Sequence, residues 1–248
     1  HPRMNAIRIT VTKTAGSVPR DAGTQMLVWA DRTEGTIGGG TLEWEAMAEA
    51  RRMLQDGRKT HSARIPLGPA MGQCCGGSVS LLWEEAEAIT TPPARPLWIY
   101  GAGHVGRALV HVMAPLPNFD ITWVDTHADR FPQTSITTLV AADPALVVKH
   151  APVDADHLIL TYSHEMDLAL CHAVLCHAFQ SVGLIGSATK WARFKTRLAA
   201  LGHSPAQISR IACPIGDPAL GKHPAAIALG VATAMISTGT CQTGDRTA

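Results

Sequence analysis

Gly72-Gln73-Cys74-Cys75-Gly76-Gly77 sets two adjacent thiols and one amide among glycines. Neighbouring side chains on a strand face opposite ways, so both sulfurs cannot enter one core from regular structure. The flanking glycines permit positive φ and leave room beside the backbone. At least one thiol is therefore expected in a loop, as a soft ligand or a nucleophile, with Gln73 beside it. The competing reading is a glycine-rich turn whose cysteines pack as small apolar groups.

A second chemistry is phosphate binding. Gly101-Ala102-Gly103-His104-Val105-Gly106 follows an apolar run and opens a helical pattern. In that context Gly101 makes the turn, Gly103 lets a pyrophosphate approach the backbone, and Gly106 lets helix and strand close on each other. Asp125 lies 19 residues after Gly106, at the end of the next apolar run. A carboxylate there can accept from a ribose hydroxyl, which makes NAD(P) a candidate, although the same amides would hold any phosphate. His104, at the centre of the motif, fits either a ligand contact or a solvated helix N-terminus.

Other ligand-type side chains are scattered. In Gly16-Ser17-Val18-Pro19-Arg20 a compact turn presents a guanidinium that can clamp a phosphate or carboxylate, or stand in solvent. Gly38-Gly39-Gly40 leads into a helix, so Gly39 and Gly40 offer either an anion-binding nest or a tight connection. Glu43 falls in that helix's first turn, where negative charge is favourable in any case, and is also a cofactor-contact candidate. Ser163-His164-Glu165 and Asp167 follow a strand of parallel type, where open α/β sheets bind ligands. Ser163 is a good N-cap and the two acids suit a first turn, which leaves His164 as the ligand candidate. Cys171, His172, Cys176 and His177 are metal-ligand types. His172 and Cys176 share a helix face, but the other two are offset and no second pair has zinc spacing, so structural zinc is not expected. No G-x-S-x-G elbow supports a serine hydrolase.

The elements that must position these residues fall into two groups. Residues 7–12 alternate as a strand, 25–29 and 78–84 are further strands, and 41–55 reads as a helix with Thr41 as N-cap and Gly57 past its end. Beyond Thr90-Thr91-Pro92-Pro93-Ala94-Arg95-Pro96, strands at 97–100, 121–124, 157–162 and 182–185 alternate with helices at 101–113, 165–180 and 188–201. Pro224 starts a last helix. The fold class expected is α/β: a small N-terminal α+β domain (1–89), a proline-rich linker (90–96), a Rossmann-like parallel-sheet domain (97–238) and a flexible tail (239–248).

Composition narrows the function. With 46% hydrophobic and 17% charged residues, the 248-residue chain is globular rather than disordered. A net charge of +1 without a basic run argues against nucleic acid or a membrane surface as partner. Six cysteines lack the spacing of a disulfide scaffold and point to the reducing cytoplasm. No signal peptide is evident, and the apolar run 225–236 is too short to span a bilayer. The chain begins at His1, so a preceding piece is expected to be missing or processed.

In order along the chain, these motifs resemble the XdhC/CoxI family of xanthine dehydrogenase accessory proteins. The matching pieces are 16–20, 35–40 with Glu43, 72–77, 101–106, Val124-Asp125, 161–164 with Asp167, 183–187, and Cys213-Pro214-Ile215-Gly216 followed by Gly221-Lys222. Asp217-Pro218 departs from an apolar continuation in the family. The resemblance implies a molybdenum-cofactor carrier rather than an enzyme. Such a carrier binds the pyranopterin, protects it, and supports exchange of a molybdenum oxo ligand for sulfur with a cysteine desulfurase. It then inserts the cofactor into the large subunit of a xanthine dehydrogenase-type hydroxylase, and is dimeric. On this resemblance Cys75 or Cys74 lies close to molybdenum or carries sulfur, and phosphate sits on the 101–106 amides or near Arg20. An NAD(P)-dependent oxidoreductase shares the second-half fingerprint but leaves the first half unexplained.

Overall fold

The computed structural model describes residues 5–68, 76–90 and 93–238. Gln73, Cys74, Cys75, part of the proline-rich linker and the 239–248 tail lie outside them. The chain divides into two compact units, His1–Thr91 and Pro92–Ala248, each with its own apolar core.

In the first unit, β1 (Ala6–Ala15) alternates buried and half-exposed residues up to Val11. It pairs antiparallel with β2 (Gln25–Val28) and β5 (Ser78–Ala86). With β3 (Thr33–Gly35) and β4 (Thr60–Pro66) these form one sheet in the order β3-β2-β1-β5-β4. Helix α1 (Gly40–Asp56) buries Leu42, Ala46, Ala50 and Met53 against Ile7, Ile9, Met26 and Trp83. The Trp83 indole donates to the Ala46 carbonyl at 3.0 Å, so its buried N–H is satisfied. The N-cap is Gly39, not Thr41, because Gly39 takes φ 73 and the chain enters the helix earlier than a hydroxyl cap would suggest. The C-terminus is as expected: Gly57 is left-handed and donates to the Met53 carbonyl.

In the second unit, β6 (Arg95–Tyr100), β7 (Phe119–Asp125), β8 (Thr137–Val140), β9 (Asp156–Ile159), β10 (Ser181–Leu184) and β11 (Ile211–Ala212) make a parallel sheet in the order β11-β10-β9-β6-β7-β8. Counted within the unit this is the doubly wound 3-2-1-4-5-6 order, and the strand sequence reverses between β6 and β9. Helices α2 (His104–Met113) and α6 (Pro224–Thr238) cover one face through Leu109, Met113, Val231 and Met235. Helices α3 (His164–Leu175), α4 (Ala188–Ala200) and α5 (Pro205–Ile208) cover the other.

Two boundaries differ from expectation. Arg95 and Pro96 belong to β6 rather than to a linker. Pro96 precedes the first β9 pairing at Leu97, so its missing N–H takes nothing from that ladder. Helix α3 stops at Leu175 because the Cys176 N–H turns back onto the His172 and Ala173 carbonyls, and Gln180 already donates to Ala155 on the way into β10. Among the described residues no helix is long and apolar enough to cross a membrane.

Candidate functional site

In the first unit the glycine motifs converge. Ser17 and Gly76 form an isolated parallel bridge, and Leu67 donates to the Gly77 carbonyl at 2.8 Å. A Cβ on Gly77 would sit 2.3 Å from the Ser17 carbonyl oxygen, so only glycine fits. A Cβ on Gly38, whose φ is 128, would meet the Pro19 ring at 2.7 Å. The end of the cysteine segment and the 36–40 turn are thus both fastened to the Gly16–Arg20 turn. Arg20 is exposed and makes no hydrogen bond or ion pair among the described residues. Cys74, Cys75 and Gln73 lie outside the described residues.

The nest expected at Gly38-Gly39-Gly40 already holds an anion, the chain's own Glu43. Its Oε2 accepts from Thr36 Oγ1 at 2.5 Å, Ile37 N at 2.9 Å and Gly39 N at 3.0 Å. Partial burial pushes the Glu43 pKa up, but the Thr36 hydroxyl and the Gly39, Ile37 and Gly38 amides together hold it below the usual carboxylate range. Glu43 and Gly39 therefore read as a fastened turn rather than as ligand contacts, and Gly40 opens α1.

In the second unit the fingerprint glycines divide their roles. A Cβ on Gly101 would lie 2.3 Å from the Leu160 carbonyl oxygen, and one on Gly106 would lie 2.0 Å from the Gly101 carbonyl oxygen. Beside Gly103 there is nothing within 4 Å, and no side chain caps α2. That open, uncapped helix N-terminus at the strand-order reversal suits a phosphate, with exposed His104 at its first position.

Asp125 does something other than wait for a ribose. It is buried, its Oδ2 accepts from Ala102 N at 2.5 Å, and its Oδ1 accepts from Thr126 N at 2.6 Å and Thr126 Oγ1 at 3.2 Å. Arg130 Nε lies 2.7 Å from Oδ1. Burial pushes its pKa up, but Ala102, Arg130 and Thr126 outweigh that and hold it below the usual range. Thr126 N, Thr126 Oγ1 and the Arg130 guanidinium crowd Oδ1, while among the described residues Oδ2 accepts from Ala102 N alone and keeps one acceptor position. The Arg130 guanidinium continues over the exposed Tyr162 ring, 4.7 Å from its centroid, so the loops after β7 and β9 meet across the crevice.

A network that sequence reasoning missed lies beside His164. Asp167 is buried rather than a solvated first-turn acid. It accepts from Thr161 N at 3.1 Å and Thr161 Oγ1 at 2.6 Å, and pairs with Lys190 Nζ at 2.5 Å. Lys190 also donates to the Ile185 carbonyl at 2.9 Å. Next to this pair is a hollow of about 260 Å³ lined by His164, Ser187, Lys190, Arg193, Phe194 and Arg197. Arg193 and Arg197 make no ion pair among the described residues, while Phe194 forms an apolar floor with His164 edge-on to it at 6.5 Å. The sequence signal was the basic stripe at 190, 193 and 197, one helix face by spacing. The arrangement suits an anion attached to a flat ring.

The thiols nearest this network are not prepared as thiolates. Burial, with Asp167 adding to it, pushes the Cys171 thiol far up. Burial pushes Cys213 up to about 11, with Lys190 offsetting only part. At the departure from the family pattern, Asp217 Oδ1 accepts from Ala219 N at 2.9 Å and caps a short 3-10 turn.

Comparison with known proteins gives the following. The family model described as XdhC Rossmann domain matches residues 97–235, and the model described as XdhC and CoxI family matches residues 3–64. A curated relative is the uncharacterized protein YqeB of Escherichia coli, 31% identical over 231 residues. The match takes in 89% of this chain but 41% of the relative, so the chain spans about two fifths of that protein's length. A solved structure titled a xanthine dehydrogenase from Bacillus halodurans superposes with a TM-score of 0.77 at 18% identity, over 95% of this chain and 91% of that one. At that identity the likeness shows the fold.

Proposed function

The chain belongs to the XdhC and CoxI family, and on that premise we propose that it is a carrier of the molybdenum cofactor. In this reading it binds the pyranopterin, shields it, and supports replacement of a molybdenum oxo ligand by sulfur from a cysteine desulfurase. It then inserts the product into the large subunit of a xanthine dehydrogenase-type hydroxylase in the cytoplasm, working as a homodimer and catalysing no reaction of its own. The observation that carries this reading is the anchoring of Gly76 and Gly77 against the Gly16–Arg20 turn. It ties the residue that follows Cys75 in sequence to the turn that carries Arg20, a guanidinium with no hydrogen bond or ion pair among the described residues.

The second unit offers the complementary chemistry. The cargo carries a phosphate on a flat heterocycle. The open amides at Gly103 and the hollow of His164, Arg193, Arg197 and Phe194 suit those two groups. NAD(P) is the second candidate for the same crevice, favoured by strand order and glycine spacing. The internal partners of Asp125 compete with it, since they fill Oδ1 and one of the two acceptor positions of Oδ2.

The test replaces Cys74 and Cys75 by alanine separately. It measures bound cofactor by fluorescence of the oxidised pterin, and transfer of sulfurated cofactor to an apo hydroxylase. Loss of binding or transfer in at least one variant is expected. Undiminished binding and transfer in both removes the thiol role. Tight NAD(H) or NADP(H) binding by tryptophan fluorescence, without pterin binding, supports the oxidoreductase.

A further inference from the structure

We propose that His172, Cys176 and His203 form a binding site for a divalent transition-metal ion, with Zn²⁺ the best fit to the donor set. One ligand atom from each residue lies within 4.8 Å of the other two, and His172 Nδ1 is 2.7 Å from His203 Nε2. Tetrahedral zinc with two imidazoles and a thiolate needs ligand atoms about 3.3–3.7 Å apart, so the observed triangle requires only side-chain adjustment. Two nitrogens and one sulfur select zinc or cobalt over the hard cations magnesium and calcium.

Helix α3 supplies two ligands and the loop after α4 supplies the third. His172 and Cys176 are one helical turn apart on one face. Cys176 caps the C-terminus of α3, where the helix dipole favours a cation. His203 is held from both sides. Gly202 takes φ 93, which returns the chain so that the His203 N–H donates to the Leu198 carbonyl at 3.2 Å. Ser204 and Gln207 then close a reciprocal cap on α5 immediately downstream. His203 is buried, His172 half-buried and Cys176 exposed, so a metal would face solvent at a fourth position on the Cys176 side.

This site is separate from the crevice. His164 and Cys176 stand at opposite ends of α3, about 18 Å apart at 1.5 Å per residue. Sequence spacing offers no second ligand pair for the α3 residues; the fold instead adds the single His203, 27 residues beyond Cys176. A bound ion would clip the end of α3 to the α4–α5 turn, independently of what the crevice holds.

The experiment uses the full chain, stripped with a chelator and titrated with Co²⁺ and then Zn²⁺. The expected result is stoichiometric Co²⁺ binding with visible tetrahedral d–d bands and a thiolate charge-transfer band, both abolished by Zn²⁺. His203→Ala and Cys176→Ser should each weaken binding by more than about 100-fold, the upper range for losing an outer-shell partner. A variant carrying Cys74→Ala and Cys75→Ala together should keep the bands. Cys176 is exposed, so Cys176→Ser keeps the test sound even if His203→Ala folds poorly. Absence of stoichiometric binding overturns the proposal. So do bands that survive Cys176→Ser and vanish in the Cys74/Cys75 variant.

Discussion

At Glu43 and at Asp125 a carboxylate of the chain occupies backbone amides that a bound anion would otherwise take. Both acids look like ligand contacts in the sequence, because an acid after a glycine turn has the same spelling whether its partner is a ribose or the turn itself. The structure makes them fasteners, and that has consequences for stability. Glu43→Ala removes three hydrogen bonds and should lower the stability of its turn by about 2 kcal/mol, read as faster hydrogen exchange over residues 36–40. Unchanged exchange there would show that Glu43 holds nothing. Asp125→Asn leaves Arg130 without its buried partner and should cost about 3 kcal/mol in urea unfolding at neutral pH. The sign of the pH dependence follows from its lowered pKa. The Asp125 contribution is full above the ordinary value of 3.8 and is lost as pH falls through the lower folded value. Wild type should therefore lose stability relative to Asp125→Asn on acidification below about pH 4. Parallel curves for the two proteins would contradict this role.

Among the elements, the turn from β6 into α2 was the most legible, because its glycines are demanded by backbone approach rather than by side-chain fashion. Gly101 and Gly106 face carbonyl oxygens at distances no Cβ tolerates, whereas Gly103 faces open space at an ordinary φ of −76. Gly106→Ala should therefore destabilise the second unit by about 3 kcal/mol through overpacking. Gly103→Ala should leave stability within about 0.5 kcal/mol of wild type yet weaken cofactor binding about 10-fold, measured by pterin retention. Equal stability loss in both variants would mean that the turn is packed all round and holds no ligand. The long apolar elements β1, α1, α2 and α4 were also readable from periodicity. β3, β4, β8 and β11, all at sheet edges, were not: three have only two to four residues, and β4 alternates exposed with half-buried residues and buries none fully. The Asp167–Lys190 pair and the approach of His203 to α3 were invisible for a different reason. They depend on where two helices meet, and sequence separation does not encode that.

Over the whole molecule, each unit brings its own chemistry. The first fastens the glycines after Cys74 and Cys75 to the Arg20 turn. The second presents uncapped helix amides and a basic, aromatic-floored hollow beside the crevice of a doubly wound sheet. A soft metal and dithiolene suit the first, and a phosphate on a ring suits the second. On the proposed reading these are the groups of the molybdenum cofactor, whereas a nicotinamide dinucleotide would leave the first unit's motifs without work. The most direct measurement is the molybdenum and pterin content of the full chain after anaerobic incubation with the cofactor and removal of excess. Metal is determined by mass spectrometry and pterin by fluorescence after oxidation. The account predicts stoichiometric molybdenum and pterin together. A chain that retains neither, yet binds NAD(H) or NADP(H) stoichiometrically, would contradict it.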